Sequence, residues 1–322
     1  LPIKTFILIG APGDIMNQRT LAGQVRPVRQ LTTTSPHRTV GGIFIPGITP
    51  YIAEYESYNE KHAILTLALC HDVLGIKSQP TKTHYIKSSG KAGYHIPDFE
   101  VDTKDGSLLL EVKAIENLLE TRNIAKYLVL AQQYRRKQVS YRFLVNVQIE
   151  AKPRFQTVLL LQRYLASKPD GEKFDVARSA LSEGPSRICE LIRRTQLALA
   201  EIYALVANRM LCIDWRHPLT PQAYISLPDQ PFKGLLLEDI FSSTRFCGVL
   251  ESLALGREPT DQSVLAVAKA WRRSDNMPQL WGMVGGFAAE SPVNSINEIR
   301  FLRAAHHRRN YAPGHIDQKG GE

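Results

Sequence analysis

The stretch Tyr94-His-Ile-Pro-Asp-Phe-Glu-Val-Asp-Thr-Lys-Asp-Gly-Ser-Leu-Leu-Leu-Glu-Val-Lys113 decides how the chain is read. Two runs of strand composition, 96–101 and 107–112, flank Thr103-Lys104-Asp105-Gly106, and an Asp-Gly step between apolar runs predicts a β-hairpin. Two registers are open. A turn centred on Lys104-Asp105 sets Asp98 opposite Glu111, whereas one centred on Asp105-Gly106 sets it opposite Lys113. Side chains alternate faces along a strand and cross-strand partners share a face, so either register gathers Asp98, Glu111 and Lys113 on one patch.

Two carboxylates beside an ammonium suit a hard divalent cation, because Mg²⁺ prefers oxygen donors and is commonly held by one or two carboxylates together with substrate phosphate. The chemistry expected is phosphodiester hydrolysis. The cation acidifies a water and screens the scissile oxygens, while Lys113 orients the nucleophile or offsets charge in the transition state. A solvated ion cluster on a surface hairpin is the competing reading, since a loose Asp…Glu-x-Lys pattern also arises by chance. Pro97 before Asp98, and the Leu108-Leu109-Leu110 run into Glu111, favour the metal site.

A chain of 322 residues can bury a sizeable core, and its 43% hydrophobic and 22% charged content is that of a soluble globular protein. The net charge of +9 favours a polyanionic partner such as nucleic acid. No apolar run approaches a membrane span, and the start lacks the basic leader and Ala-x-Ala site of a signal peptide. Cys70, Cys189, Cys212 and Cys247 are widely spaced, which argues against structural zinc and fits reduced thiols in the cytoplasm.

Residues 1–50 read as an extended basic arm, with Arg19, Arg26, Arg29, His37 and Arg38 and no helical or strand period. Gly10-Ala-Pro-Gly13 lacks the Gly-Lys-Ser/Thr ending of a phosphate loop and is discounted. Residues 51–150 read as an α/β unit. A helix over 55–72 carries Glu56 and Glu60 beside its apolar face; Glu60 suits either a carboxylate aimed at the hairpin or the closing residue of a Ser57-Tyr-Asn-Glu60 capping box. A strand-like run over 76–87 is broken at Gln79-Pro80 and leads through the 88–93 turn to the hairpin. A helix over 116–138 and a strand over 141–148 complete a mixed sandwich closing near Glu150.

Tyr55-Glu-Ser-Tyr-Asn-Glu60, Gln79-Pro80, Tyr94-His-Ile-Pro-Asp-Phe99 and Leu110-Glu-Val-Lys113, in this order and spacing, resemble the TnsA-type endonuclease subunits of bacterial heteromeric transposases. The resemblance implies a restriction-endonuclease-like mixed sheet flanked by helices, with the Pro-Asp…Glu/Asp-x-Lys signature. It implies Mg²⁺-dependent nicking of the 5′ strands at transposon ends, with Mn²⁺ as a substitute cation. It also implies a DDE transposase that cuts and joins the 3′ ends, an AAA+ ATPase regulator, and a bacterial, nucleoid-associated location. Carried onto matching positions, Glu60, Asp98 and Glu111 become the metal carboxylates and Lys113 the catalytic lysine, with Glu56 as fallback for Glu60. Some relatives carry Gln where this chain has Glu111.

The second half reads as a connector over 151–167, then three short helices over 174–181, 186–194 and 196–207, and a two-stranded ribbon from 211–213 and 223–227. That is the outline of a winged helix-turn-helix over 151–228. Its third helix is expected to offer Gln196, Glu201, Asn208 and Arg209 outward, with Arg216 and His217 on the wing; the partner is DNA, or alternatively protein. Residues 229–322 hold one amphipathic helix over 263–273 and a basic run of Arg300, Arg303, His306, His307, Arg308 and Arg309, a solvated tail or a docking segment. Two rival readings of the whole chain stay open at this stage: a stand-alone restriction or repair nuclease, and a catalytically silent DNA-binding or assembly subunit.

Overall fold

The computed structural model describes residues 5–7, 39–87, 90–118, 121–168 and 170–242, together with Ala254. In chain order the first half contains β1 (Thr5–Ile7), β2 (Gly41–Ile43), β3 (Ala53–Tyr55), α1 (Tyr58–Ala68), β4 (Val73–Ser78), β5 (Thr83–Ile86), β6 (Ala92–His95), β7 (Phe99–Thr103), β8 (Gly106–Lys113), α2 (Ile115–Leu118), α3 (Thr121–Arg136) and β9 (Ser140–Val145). Then follow α4 (Asn146–Ile149), α5 (Arg154–Leu161), a single 3-10 turn, α6 (Gly171–Ala180), β10 (Ser186–Arg187), α7 (Ile188–Thr195), α8 (Leu199–Ala207), β11 (Cys212–Ile213), β12 (Tyr224–Ser226) and α9 (Leu237–Phe241).

The quoted hairpin is the middle of a four-stranded sheet of order β4-β7-β8-β9, in which β8 runs antiparallel to β7 and parallel to β9. The Leu108-Leu109-Leu110 run is buried on both faces because β8 is an interior strand. Leu108, Leu110 and Val112, with Phe99 and Val101 of β7, pack with Ala63, Ile64 and Leu67 of α1. Leu109 points the other way and joins Tyr141, Phe143 and Val145 of β9 under Tyr127, Leu130 and Tyr134 of α3. The period-two alternation thus feeds two cores from one strand. Truncating the fully buried Leu110 to alanine would cost about 2–5 kcal/mol.

Several boundaries differ from the sequence reading. The extended arm does not reach residue 50: β2 pairs with β3 and, in parallel, with β1, while Ile43, Ile45 and Ile48 are buried in the main core. Arg19, Arg26, Arg29 and His37, with the rest of 8–38, lie outside the described residues. The 55–72 helix is shorter because Tyr55 ends a strand and Ser57 caps α1. The 76–87 run is two strands rather than one; β4 ends at Ser78, Gln79 turns the chain at φ 47°, and β5 pairs with β6 in a separate antiparallel hairpin. Strand β9 stops at Val145, where Gln148 bonds back to the Val145 N–H and starts α4.

The 151–167 connector is helical, with Val158 and Leu161 of α5 buried. The segment 186–194 opens as a strand rather than a helix, and β10 joins the later ribbon in a sheet of order β10-β12-β11. One continuous apolar cluster runs from Ile43 through α1 to Ile202, Leu205 and Phe241, so burial does not stop at residue 150. The 229–242 stretch, left without an element by the sequence, belongs to the core. Leu235, Leu237, Ile240 and Phe241 are buried, and Asp72 accepts the Leu237 N–H at the start of α9. The 263–273 helix and the basic run from Arg300 to Arg309 lie outside the described residues.

Candidate active site

Thr103 pairs with Gly106, which places the turn on Lys104-Asp105 and selects the first of the two registers. Gly106 takes φ 123°, a conformation that a side chain would strain. The ladder pairs Phe99 with Leu110, and one step further brings Asp98 opposite Glu111. Asp98, Glu111 and Lys113 therefore share the face covered by α3.

The three groups are joined by one ammonium. Lys113 Nζ lies 2.9 Å from Asp98 Oδ2, 3.0 Å from Glu111 Oε1 and 3.0 Å from the main-chain oxygen of Val112. Asp98 Oδ2 also accepts the Val112 N–H at 2.8 Å, which ties the end of β7 to β8. Burial raises the Asp98 carboxyl, as does the charge of Glu111, against the pull of Lys113. Burial works against ionising Glu111 too, but Lys113 and His95 prevail and hold it below the usual carboxylate range. Burial likewise opposes the Lys113 charge, and Asp98 and Glu111 more than offset it, so the ammonium is held well above its ordinary value.

Glu111 is 2% exposed and held from several sides. Tyr127 of α3 donates its hydroxyl to Oε1 at 2.9 Å, Tyr141 of β9 approaches Oε2 at 3.5 Å, and His95 Nε2 lies 3.0 Å from Oε2 without hydrogen-bond alignment. Sequence reasoning missed this cradle. His95 stands inside the quoted motif, but its role rests on β6 ending beside β8; Tyr127 and Tyr141 fall in the expected 116–138 helix and 141–148 strand with nothing in the sequence to mark them as partners of Glu111. Lys126, next to Tyr127, is a second cation facing the cluster. Burial lowers its ammonium and Lys113 adds to this, while Glu111 and Asp98 pull the other way.

Glu60 serves the cap of α1, but its side chain reaches one residue further back than the expected capping box, to the Glu56 N–H rather than the Ser57 N–H. Its Oε2 accepts the Glu56 N–H at 2.7 Å, its Oε1 accepts the Ser57 hydroxyl at 2.9 Å, and its own N–H donates to Ser57 Oγ at 3.2 Å. It is also close enough to the cluster to feel it. Burial, then the charge of Asp98, pushes its carboxyl up to about 7 despite the Glu56 N–H and Lys113. No ion pair within 4 Å joins Glu60 to Lys113 among the described residues.

Among the described residues, no group of three His, Cys, Asp or Glu side chains stands ready to hold a metal ion. The donor chemistry nevertheless fits a hard cation, because Asp98, Glu111 and the Val112 carbonyl are oxygens converging on one positive charge, here the ammonium of Lys113.

The second half presents little positive charge along its third helix. Asn208 turns inward and donates to the carbonyls of Tyr164, Ser167 and Ala204, and Arg209 donates to the carbonyls of Cys70 and Val73. Both were expected to face outward; they brace the helices against each other and against β4 instead. Gln196 is exposed at the αL end of α7, and Glu201 pairs with Lys173 at 2.6 Å. Arg216 is engaged by Asp214 through two contacts of 2.8 Å, with His217 3.7 Å from the same carboxylate.

A mixed sheet between α1 and α3, with an Asp and a Glu-x-Lys meeting across its β7–β8 pair, is compatible with a restriction-endonuclease-like nuclease core. Residues 70–146 match the family model of the TnsA-like endonuclease N terminal, which supports a TnsA-type endonuclease. The match runs from just after α1 to the start of α4, so it contains Asp98, Glu111, Lys113 and the Glu111 cradle but not Glu60. Comparison with curated proteins returned no match. No helix of the described residues is long and apolar enough to cross a membrane.

Proposed function

We propose that this chain is a metal-dependent DNA endonuclease that nicks the 5′ strands at the ends of a mobile element, working beside a DDE transposase and an AAA+ regulator. The observation that carries the reading is the convergence of Asp98, Glu111 and the Val112 carbonyl on Lys113 inside the segment matched by the TnsA-like model. In this reading Asp98 and Glu111, with the Val112 carbonyl, hold Mg²⁺ or Mn²⁺, and Glu60 contributes from the start of α1. When bound, the cation supplies an acidified water and screens the scissile phosphate.

The chain's own residues do the rest. Asp98 and the Val112 carbonyl fix the position of the Lys113 ammonium, which is held in its charged form and is available to orient a nucleophile or stabilise phosphate charge. The Tyr127 hydroxyl fixes Glu111 from α3, and Lys113 with His95 keeps it ionised. Residues 151–228 form a winged-helix-like unit whose third helix is better suited to docking protein than DNA, since Asn208 and Arg209 are spent on internal carbonyls.

The test is Asp98→Ala in the full chain. With the transposase partner, Mg²⁺ and end-sequence DNA, 5′ nicking is lost while folding and partner binding persist. Nicking at the wild-type rate removes Asp98 from the site. Robust cutting of arbitrary DNA by the isolated wild-type chain overturns the transposition reading in favour of a stand-alone nuclease.

A further inference from the structure

The β5–β6 hairpin is the feature that the catalytic reading leaves unused. Its inner face is anchored: Tyr85 packs into the α3 core, Gln133 donates to the His84 carbonyl at 2.5 Å, and His95, at the end of β6, reaches Glu111. Its outer face follows from the register, which sets His84 against Tyr94 and Ile86 against Ala92. That face is unusual in composition. Tyr94 is 59% exposed and Ile86 61%, among the largest exposures of bulky apolar side chains in the described residues. Lys82 lies over the Tyr94 ring at 4.0 Å on this face. Lys87 and Lys91 are exposed at the turn end of the ribbon, where the Lys87 N–H donates to the Lys91 carbonyl at 2.9 Å; this next rung belongs to the opposite face, and the Lys87 stem lies against Gly93 beside Tyr85.

Between Asp72 and Asp98 the sequence contains no carboxylate at all, so this ribbon carries its positive charge uncompensated. None of Lys82, Lys87 and Lys91 forms an ion pair among the described residues, whereas Lys77, just before the ribbon, is paired with Glu100 and Asp102 at 3.0 and 2.9 Å. Lysines that merely blunt a sheet edge need no exposed aromatic beside them. Uncompensated cations interleaved with an exposed aromatic and an aliphatic side chain suit a polyanion that also has apolar surface, namely sugar and base edges. A two-stranded ribbon is also narrow enough to lie along or within the major groove of duplex DNA.

We propose that the β5–β6 hairpin is a duplex-DNA contact, with Tyr94 and Ile86 of its outer face against the sugars, Lys82 beside them on a phosphate, and Lys87 and Lys91 at the turn end, on the opposite side of the ribbon, reaching the flanking phosphates. This rests on the nuclease reading and deepens it. The ribbon is continuous through His95-Ile96-Pro97 with Asp98, so a duplex gripped there is held beside the cluster. The assignment places the DNA grip on the nuclease unit itself.

The test measures binding of the full chain to duplex DNA over a salt series in EDTA, where cutting cannot interfere. Three phosphate contacts on B-DNA contribute about 2.7 to the log–log slope, so between 50 and 200 mM salt the wild type should lose about 40-fold more affinity than a Lys82→Ala/Lys87→Ala/Lys91→Ala variant. Arginine at the three positions should restore the slope, and Asp98→Ala should bind with the wild-type slope while failing to nick. A triple alanine variant with the wild-type slope overturns the ribbon assignment and leaves the nuclease reading standing. A wild-type chain that binds duplex with no salt dependence overturns both.

Discussion

Removing a single oxygen tests whether the Glu111 cradle is a working part of the site. In Tyr127→Phe the ring stays in the α3 core and only the hydroxyl that donates to Glu111 Oε1 at 2.9 Å is lost. Tyr127 is 3% exposed and Glu111 2%, so solvent cannot replace the bond. A hydrogen bond to a buried charged group is worth about 1.5–3 kcal/mol. Tyr141, at 3.5 Å from the other oxygen, is at the limit of hydrogen bonding and cannot take over. A loss of that size corresponds to a fall in Tm of roughly 3–12 °C for a unit of this scale. Urea unfolding of Tyr127→Phe, Glu111→Gln and the double variant measures the coupling directly, and it should be of the same order as the single loss. Because Tyr127 acts on the chemistry only through Glu111, nicking should fall about 10–100-fold, as for other residues that orient a ligand. Wild-type stability in Tyr127→Phe, with coupling to Glu111 near zero, would refute the cradle.

Two further predictions concern pH and the capping carboxylate. With a folded pKa of about 7 against an ordinary 4.5, Glu60 makes the folded protein less stable as pH rises through that window, by about 3 kcal/mol at most, and the penalty is complete above pH 7. Glu60→Gln keeps an acceptor for the Glu56 N–H but cannot ionise, so urea midpoints should lose that fall and, on the proposed function, nicking with Mg²⁺ should drop; an unchanged pH slope would count against the buried charge. His71 behaves with the opposite sign. Burial, then Arg209 and Lys104, lowers it from 6.5 to about 4, so stability is present above pH 6.5 and lost as pH falls through 4, by well under the roughly 3 kcal/mol of the full shift because solvent screens a half-buried ring. A His71→Phe variant should flatten the acid limb in urea titrations, and an acid limb as steep as the wild type's would show that His71 does not carry it.

The hairpin was legible because its signals are local. Apolar alternation and an Asp-Gly step required two paired strands, and the shared face of Asp98, Glu111 and Lys113 followed from period two in either register. The choice between registers was not local, since it depends on which residues the turn uses once β8 is held between β7 and β9. Glu60 was ambiguous for a similar reason. A Ser-x-x-Glu pattern reports only the cap, and the nearness of Asp98 appears when α1 is laid against the sheet. The end of the arm was misjudged because Ile43, Ile45 and Ile48 show no period among glycines and prolines, and are buried only by contacts distant in sequence.

The sequence by itself determined the chemistry on offer: which carboxylates and which lysine share a face, because that depends on strand parity and turn composition alone. Tertiary structure decided what surrounds them. His95, Tyr127 and Tyr141 meet Glu111 only because β6, α3 and β9 converge on β8, and Asn208 and Arg209 turn inward only because α8 packs toward β4. The physical reason is the same in each case. A buried charge or carbonyl must find a partner, and which partner lies within 3 Å is settled by packing between elements far apart in the chain.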